Sequence, residues 1–227
     1  MATPTAYGKR LIPQILDEVA STEPDRILYS VAVSSDISQG FQHLTARIFA
    51  KAVDKTAWML RSKIEESPTI QSALFLSPKN STEAALAVLD AASCNIWVKP
   101  GGKPSKLVDE FLHQRPMKVI ELPGLDELLD AEAAEPYPYT KTFDQAIRDP
   151  FCLLHTSGST GLPKPIGWSH GLIGTMDAVR LLPPTDGDGG MMPWTSGWND
   201  GDRIYSSFPM SHVGVNSPDR LDEYITF

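Results

Sequence analysis

Between residues 73 and 122 short apolar runs alternate with helical patterns: ALFL at 73 to 76, a helix from Thr82 to Ser93, NIWV at 95 to 98, a helix from Ser105 to His113, and KVIEL at 118 to 122. Runs this short suit buried strands, and the intervening segments are long enough to cross over a sheet, so the stretch predicts βαβαβ. Strands joined by helical crossovers run parallel with a right-handed connection, and such sheets hold ligands at the carboxyl ends of their strands. Asn80 and Glu83 stand at capping-box spacing, which supports the first of the two helices. The expected fold class is α/β, a doubly wound, mostly parallel sheet flanked by helices.

The flanking regions are consistent with that class. Leu11, Ile12, Ile15, Leu16 and Val19 form one stripe of a helix that ends near Glu23-Pro24. Ile27, Tyr29, Val31 and Val33 alternate as the buried face of a strand, Ser34 to Gly40 reads as a turn, and Thr45 stands where it would cap a helix running to Lys63. That helix draws apolar surface from Ile48, Phe49, Ala52, Val53, Trp58 and Leu60, and Ser67-Pro68 closes it. Leu125 to Ala134 reads as a short acidic helix and PYPYTKTFDQ as an irregular surface segment. Phe151 to His155 is a compact strand, Ser169 caps a helix through Leu182, Pro183 to Asp202 is a loop rich in breakers, and RIYSSFPM at 203 to 210 is a further strand.

Composition narrows the class of function. The 227 residues carry 20 Lys plus Arg against 28 Asp plus Glu, a net charge of −8, and the pI is near 5.1. Phosphate-backbone binding draws on accumulated positive charge, so nucleic acid is not an expected partner. Cys94 and Cys152 cannot build a disulfide framework or a metal site and read as small core residues. No run approaches the ~18 apolar residues of a membrane span, and the amino-terminal residues lack the apolar core of a signal peptide. The expected location is the cytoplasm.

Directly after the strand at 151 to 155 the chain reads TSGSTGLPK, Thr156 to Lys164. Glycine lets backbone N–H groups approach an oxyanion, the Ser and Thr hydroxyls add donors, and Lys164 adds a mobile cation, so the string can cradle phosphate. Any Gly/Ser/Thr/Pro string can also be a plain surface turn. It is not a Walker A loop, because Lys164 lies between two prolines and no helix begins there.

The string FCLLHTSGSTGLPKPIGWSH resembles the phosphate-binding loop of the adenylate-forming superfamily of acyl-CoA synthetases, luciferases and nonribosomal peptide synthetase adenylation domains. YGKRLIPQILDEVASTEPDR and LSPKNSTEAALAVLDAASC narrow the resemblance to fungal synthetase-like enzymes in which an adenylation domain precedes a carrier and a reductase or thioesterase. The resemblance implies a partial adenylation domain over residues 7–215, with an internal deletion near 64–73 and a non-family tail at 216–227. Its reaction joins a carboxylic acid to ATP, with Mg²⁺, and passes the acyl group to the phosphopantetheine thiol of a carrier. By residue matching, Thr156, Ser157, Gly158, Ser159, Thr160 and Gly161 hold the β and γ phosphates, Lys164 neutralises the leaving pyrophosphate and is the implied catalytic residue, and His212 in SSFPMSHVGV borders the acyl pocket. Pro165 replaces the glycine commonest after that lysine, and Ser211 stands where an aromatic is usual. Trp194 and Trp198 read as loop aromatics that pack or act as partial lids.

The resemblance also implies motifs absent from these residues: an acidic magnesium motif, a TGD-type aspartate for the ribose, and the carboxyl-terminal subdomain with its lysine. The expectation is an amino-terminal fragment of an acyl-adenylating enzyme, inactive alone. The alternative is a non-catalytic remnant or interaction module that retains an ancestral nucleotide loop.

Overall fold

Helices and strands are interspersed along the chain in the computed structural model, which describes residues 7–34, 36–64, 73–74, 95–100, 106–129, 134–155 and 165–181. In order they are α1 (Ile12–Thr22), β1 (Ile27–Ala32), a 3₁₀ turn (Ile37–Gln39), β2 (Phe41–Thr45), α2 (Ala46–Lys63), β3 (Ala73–Leu74) and β4 (Ile96–Pro100). There follow α3 (Lys106–Gln114), β5 (Lys118–Leu122), α4 (Leu125–Leu129), α5 (Phe143–Ala146), β6 (Pro150–His155), β7 (Pro165–Ser169), α6 (His170–Asp177) and a second 3₁₀ turn (Ala178–Leu181). The described residues cluster into two units. One takes those up to Ala50, Pro138–Cys152 and those from Trp168 on; the other takes those within Lys51–Tyr137 and Leu153–Gly167.

In the first unit β1 and β2 pair antiparallel, with Ala32 opposite Phe41 and Tyr29 opposite Leu44, and the register slips between Ile27 and Tyr29. That irregularity changes which residues are buried. The alternating set expected inside was Ile27, Tyr29, Val31 and Val33, yet Leu28 is the buried residue at 2% exposure, while Val31 and Val33 lie exposed. A bulge breaks the period of two, so alternation read from sequence misassigns the face. Tyr29 still reaches inward, its ring 5.2 Å from Phe49, and burial raises its phenol pKa. The segment expected as a plain turn holds the first 3₁₀ turn, capped by Asp36, whose carboxylate accepts from the Ser38 N–H. β2 had no sequence signal of its own.

Helix α2 begins as expected. The Thr45 hydroxyl accepts from Ile48 N–H at 3.4 Å, and the Ala46 and Arg47 N–H groups donate to the Arg26 and Pro24 carbonyls at 2.8 and 3.0 Å. Three amides that have no partner within the helix are thereby satisfied. Of the apolar set expected on this helix, Val53 and Trp58 are exposed, and the buried positions are Ala46 and Ala50.

In the second unit β3, β4 and β5 form a sheet in that order, both pairs parallel, with Ile96 opposite Lys118 and Lys99 opposite Glu121. The predicted parallel arrangement is present. Consecutive residues Ile96, Trp97 and Val98 are all buried, as a strand covered on both faces requires. Ile96 and Val98 cluster with Ile120, and Met59, Leu60 and Ile64 from the α2 side pack against them. Trp97 points the other way, its ring 5.4 Å from Phe111 of α3. The Lys118 ammonium donates to the Lys63 carbonyl at 2.6 Å, placing a cation at the carboxyl end of α2, where the helix dipole favours it.

PYPYTKTFDQ is less irregular than its prolines suggest. Thr142 caps α5 through a reciprocal capping box with Gln145, a pattern masked in the sequence by the neighbouring prolines and by the helix being only one turn long. Thr142→Ala is expected to destabilise this unit by about 1 kcal/mol, while Thr142→Ser changes it little, as read from chemical denaturation midpoints. The helix predicted at 82 to 93, the closure at Ser67-Pro68, the deletion near 64–73, Cys94, the loop from Pro183, the strand at 203 to 210 and the tail at 216–227 lie outside the described residues. Among the described residues, no helix is long and apolar enough to cross a membrane.

Candidate functional site

The TSGSTGLPK string is bracketed by two strands that pair with each other. β6 ends at His155, β7 starts at Pro165, and the two form a two-stranded sheet. β6 is a strand because Phe151, Cys152, Leu153 and Leu154 make a continuous apolar run. IGW, left unassigned from sequence, is the centre of β7. Both ends of the string are thus held in one sheet, while Thr156, Ser157, Gly158, Ser159, Thr160, Gly161 and Lys164 themselves lie outside the described residues, as do His212, Ser211, Trp194 and Trp198.

Helix α6 follows β7 without a break. Ser169 caps it as predicted, its hydroxyl accepting from Leu172 N–H at 3.2 Å, but the α-helix ends at Asp177, and the remaining turn to Leu181 is 3₁₀ rather than the continuous helix expected. Asp177 anchors the amino-terminal segment: its carboxylate accepts from Gly8 N–H at 2.7 Å and from Arg10 Nε at 3.0 Å, and the Arg10 Nη2 group makes a second bond to it. Arg10 also lies over the Tyr7 ring, 4.3 Å from its centre. This pairing spans 167 residues of sequence, and no local pattern signals it.

One polar side chain in this region is buried, and the sequence marks it only as the last residue of FCLLHTSGSTGLPKPIGWSH, with no role of its own. His170, the first residue of α6, is 7% exposed. Its ring meets Phe151 of β6 edge-on with centres 5.6 Å apart, and its Nε2 lies 3.5 Å from the Tyr139 hydroxyl. Burial pulls the imidazole pKa below its ordinary value; Asp149 opposes that shift and Lys141 adds to it. The available signal was its place directly after a helix-capping serine that closes an apolar strand.

Cys152 is a free, half-buried thiol whose pKa is pushed up by burial. A thiol of that kind is a packing residue and a poor nucleophile. Among the described residues no group of three or more His, Cys, Asp or Glu side chains could hold a metal ion.

No protein-family model matches the chain. Over 231 residues it is 55% identical to the isocyanide synthase-NRPS hybrid crmA of Aspergillus fumigatus, covering 91% of this chain and 15% of that protein. Over 233 residues it is 32% identical to a carboxylic acid reductase of Neurospora crassa, covering 91% of this chain and 22% of the relative. It therefore spans less than a quarter of the length of either curated relative. Among solved structures, VinN superposes with a TM-score of 0.63 at 15% identity over 97% of this chain and 58% of its own. The o-succinylbenzoate CoA synthetase MenE of Bacillus subtilis, solved with its acyl-adenylate intermediate, gives 0.56 at 20% identity over 93% and 53%. These likenesses identify the chain as a member of the adenylate-forming superfamily, related to fungal synthetase-like adenylation enzymes.

Proposed function

We propose that the loop from Thr156 to Lys164 binds the phosphates of ATP, and that this chain supplies that part of an enzyme which activates a carboxylic acid. The observation that carries the reading is the string TSGSTGLPK running between two paired strands. The relative named as a carboxylic acid reductase and the neighbour solved with an acyl adenylate support the reaction class. We assign 7–215 to the adenylation region, with a deletion near 64–73, and 216–227 to a non-family tail.

The donor set suits a polyanion. Residues 156 to 164 offer four hydroxyls, the N–H groups of a glycine-containing loop and one ammonium, and include no carboxylate. In the proposed reaction a substrate carboxylate oxygen attacks the α-phosphorus of ATP, the bond from that phosphorus to the bridging oxygen breaks, and pyrophosphate leaves with the electron pair. Thr156, Ser157, Gly158, Ser159, Thr160 and Gly161 hold the β and γ phosphates, and Lys164 offsets the charge that grows on the leaving group. Mg²⁺ would enter on the nucleotide's own phosphate oxygens and screen their charge. His212 borders the acyl group, which then passes to a carrier phosphopantetheine.

For the 227-residue chain alone the expected outcome is nucleotide binding without turnover. MgATP should raise the thermal midpoint of the wild type, and Lys164→Ala should remove most of that rise while leaving the ligand-free midpoint unchanged. No shift in the wild type would favour a non-catalytic remnant or interaction module, and equal shifts in both proteins would mean that nucleotide binds without Lys164. Carboxylate-dependent pyrophosphate exchange by the isolated chain would overturn the expectation of no turnover.

A further inference from the structure

We infer that His170 is a positioning residue: its neutral imidazole plugs the junction between the start of β6 and the end of β7, so that the pairing of the two strands that flank the Thr156–Lys164 string weakens at mildly acid pH. The use of that loop for nucleotide rests on the reading proposed above; the plug itself does not.

The junction is stitched by backbone as well as by the ring. His170 N–H donates to the Asp149 carbonyl at 3.2 Å, and Gly171 N–H donates to the Ile147 carbonyl at 2.9 Å. These bonds tie the first turn of α6 to the residues that enter β6. The approach is so close that a Cβ on Gly171 would stand 2.8 Å from the Ile147 carbonyl oxygen, which leaves room only for glycine. The His170 ring fills the space beside this seam, edge-on to Phe151, with Tyr139 6.2 Å away on another side. Strand β6 runs from this seam to His155 and β7 runs from Pro165 back to it, so the two strands that end in the loop are joined where the imidazole sits.

A proton is poorly tolerated here for two reasons. The ring is removed from water, and it occupies the amino-terminal turn of a helix, where the dipole opposes positive charge. The charged groups acting on it are Asp149, just before β6, and Lys141, from the segment before α5. They bond to each other and act on the ring with opposite signs, Asp149 favouring the imidazolium and Lys141 opposing it, so that burial remains the larger effect. The Tyr139 hydroxyl is the titratable group nearest the ring in that segment, while Phe151 of β6 brings only a ring edge.

The sign follows from linkage. An exposed imidazole titrates near ~6.5, and the plugged ring has a lower pKa, so the opened form takes up a proton that the closed form refuses. The stabilisation is complete above about pH 6.5 and is lost as pH falls toward the folded value, with the opening constant rising by at most about tenfold per pH unit.

Hydrogen exchange of peptides covering 150–155 and 165–169 tests this, as protection relative to intrinsic rates at pH 7.5 and 5.5 in the wild type, His170→Phe and His170→Gln. The expected result is a several-fold loss of protection at pH 5.5 in the wild type and a smaller loss in either variant that folds. Unchanged wild-type protection, or an equal loss in a folded variant, overturns the assignment. A MgATP thermal-shift series at the same two pH values separates the two proposals. If exchange behaves as expected and MgATP shifts nothing at either pH, the nucleotide reading fails and the plug stands.

Discussion

Ile120→Ala is expected to lower the unfolding free energy by about 2–5 kcal/mol, the range for truncating a large aliphatic side chain in a packed core. Ile120 is 2% exposed on β5, clustered with Ile96 and Val98 under Met59, Leu60 and Ile64. These neighbours come from both parallel strands and from the α2 side, so no single element can move inward to fill the space without dragging the sheet. Ile120→Val should cost about 0.5–1.5 kcal/mol. Urea denaturation followed by far-ultraviolet circular dichroism checks both. A loss below about 1 kcal/mol for the alanine variant would mean that α2 does not cover this face.

Gly174→Ala is the second substitution with a large expected effect, and it acts by excess volume instead of a cavity. A Cβ at this position would stand 2.5 Å from the Phe143 ring and 2.7 Å from the Gly8 carbonyl oxygen. Phe143 belongs to the short capped helix α5, and Gly8 is held by Asp177 from the far end of α6 itself. The Phe143 contact is the end of a rigid ring and the Gly8 contact is backbone, so ring rotation alone cannot relieve the overlap and the backbone must shift, at a cost of about 1–3 kcal/mol. Gly124→Ala serves as the control, since among the described residues nothing lies within 4 Å of its would-be Cβ, and the stability there should change by less than about 1 kcal/mol. If the two alanine variants melt together, the close approach of α6 to α5 and Gly8 is not what holds this unit.

The two substitutions stand differently toward the candidate site. Helix α6 starts where β7 ends, and a shift at Gly174 would be felt at the seam around His170. The Ile120 variant, by contrast, loosens the parallel sheet. Comparing MgATP shifts in the two variants would separate general loss of stability from specific loss of the strand pair that carries the loop.

Several elements were legible from residues alone. KVIEL is β5 from first residue to last, Ser169 caps α6, and α2 runs from beside Thr45 to Lys63. These succeed because each is specified by a few neighbouring residues: an apolar run, a hydroxyl at a helix start, a stripe at helical spacing. The donor content of Thr156 to Lys164 is legible for the same reason, since TSGSTGLPK is a contiguous string whose hydroxyls and cation follow one another along the chain, and its use for phosphate is the reading proposed above.

Other features depend on partners distant in sequence, and only the tertiary structure decides them. Leu28 is inside and Val31 outside because a register slip against β2 turns the strand, and β2 carries no signal until it is paired. Gly174 matters through Phe143 and the Gly8 carbonyl, and Asp177 through Arg10, none of which is near in the chain. His170 read from sequence is one histidine after a serine; its burial comes from Phe151 and Tyr139 closing over it. The sequence by itself thus determined the local elements on either side of TSGSTGLPK and the donors that string contains. The fold decided which residues hold them, because burial and pairing are properties of contacts between distant segments.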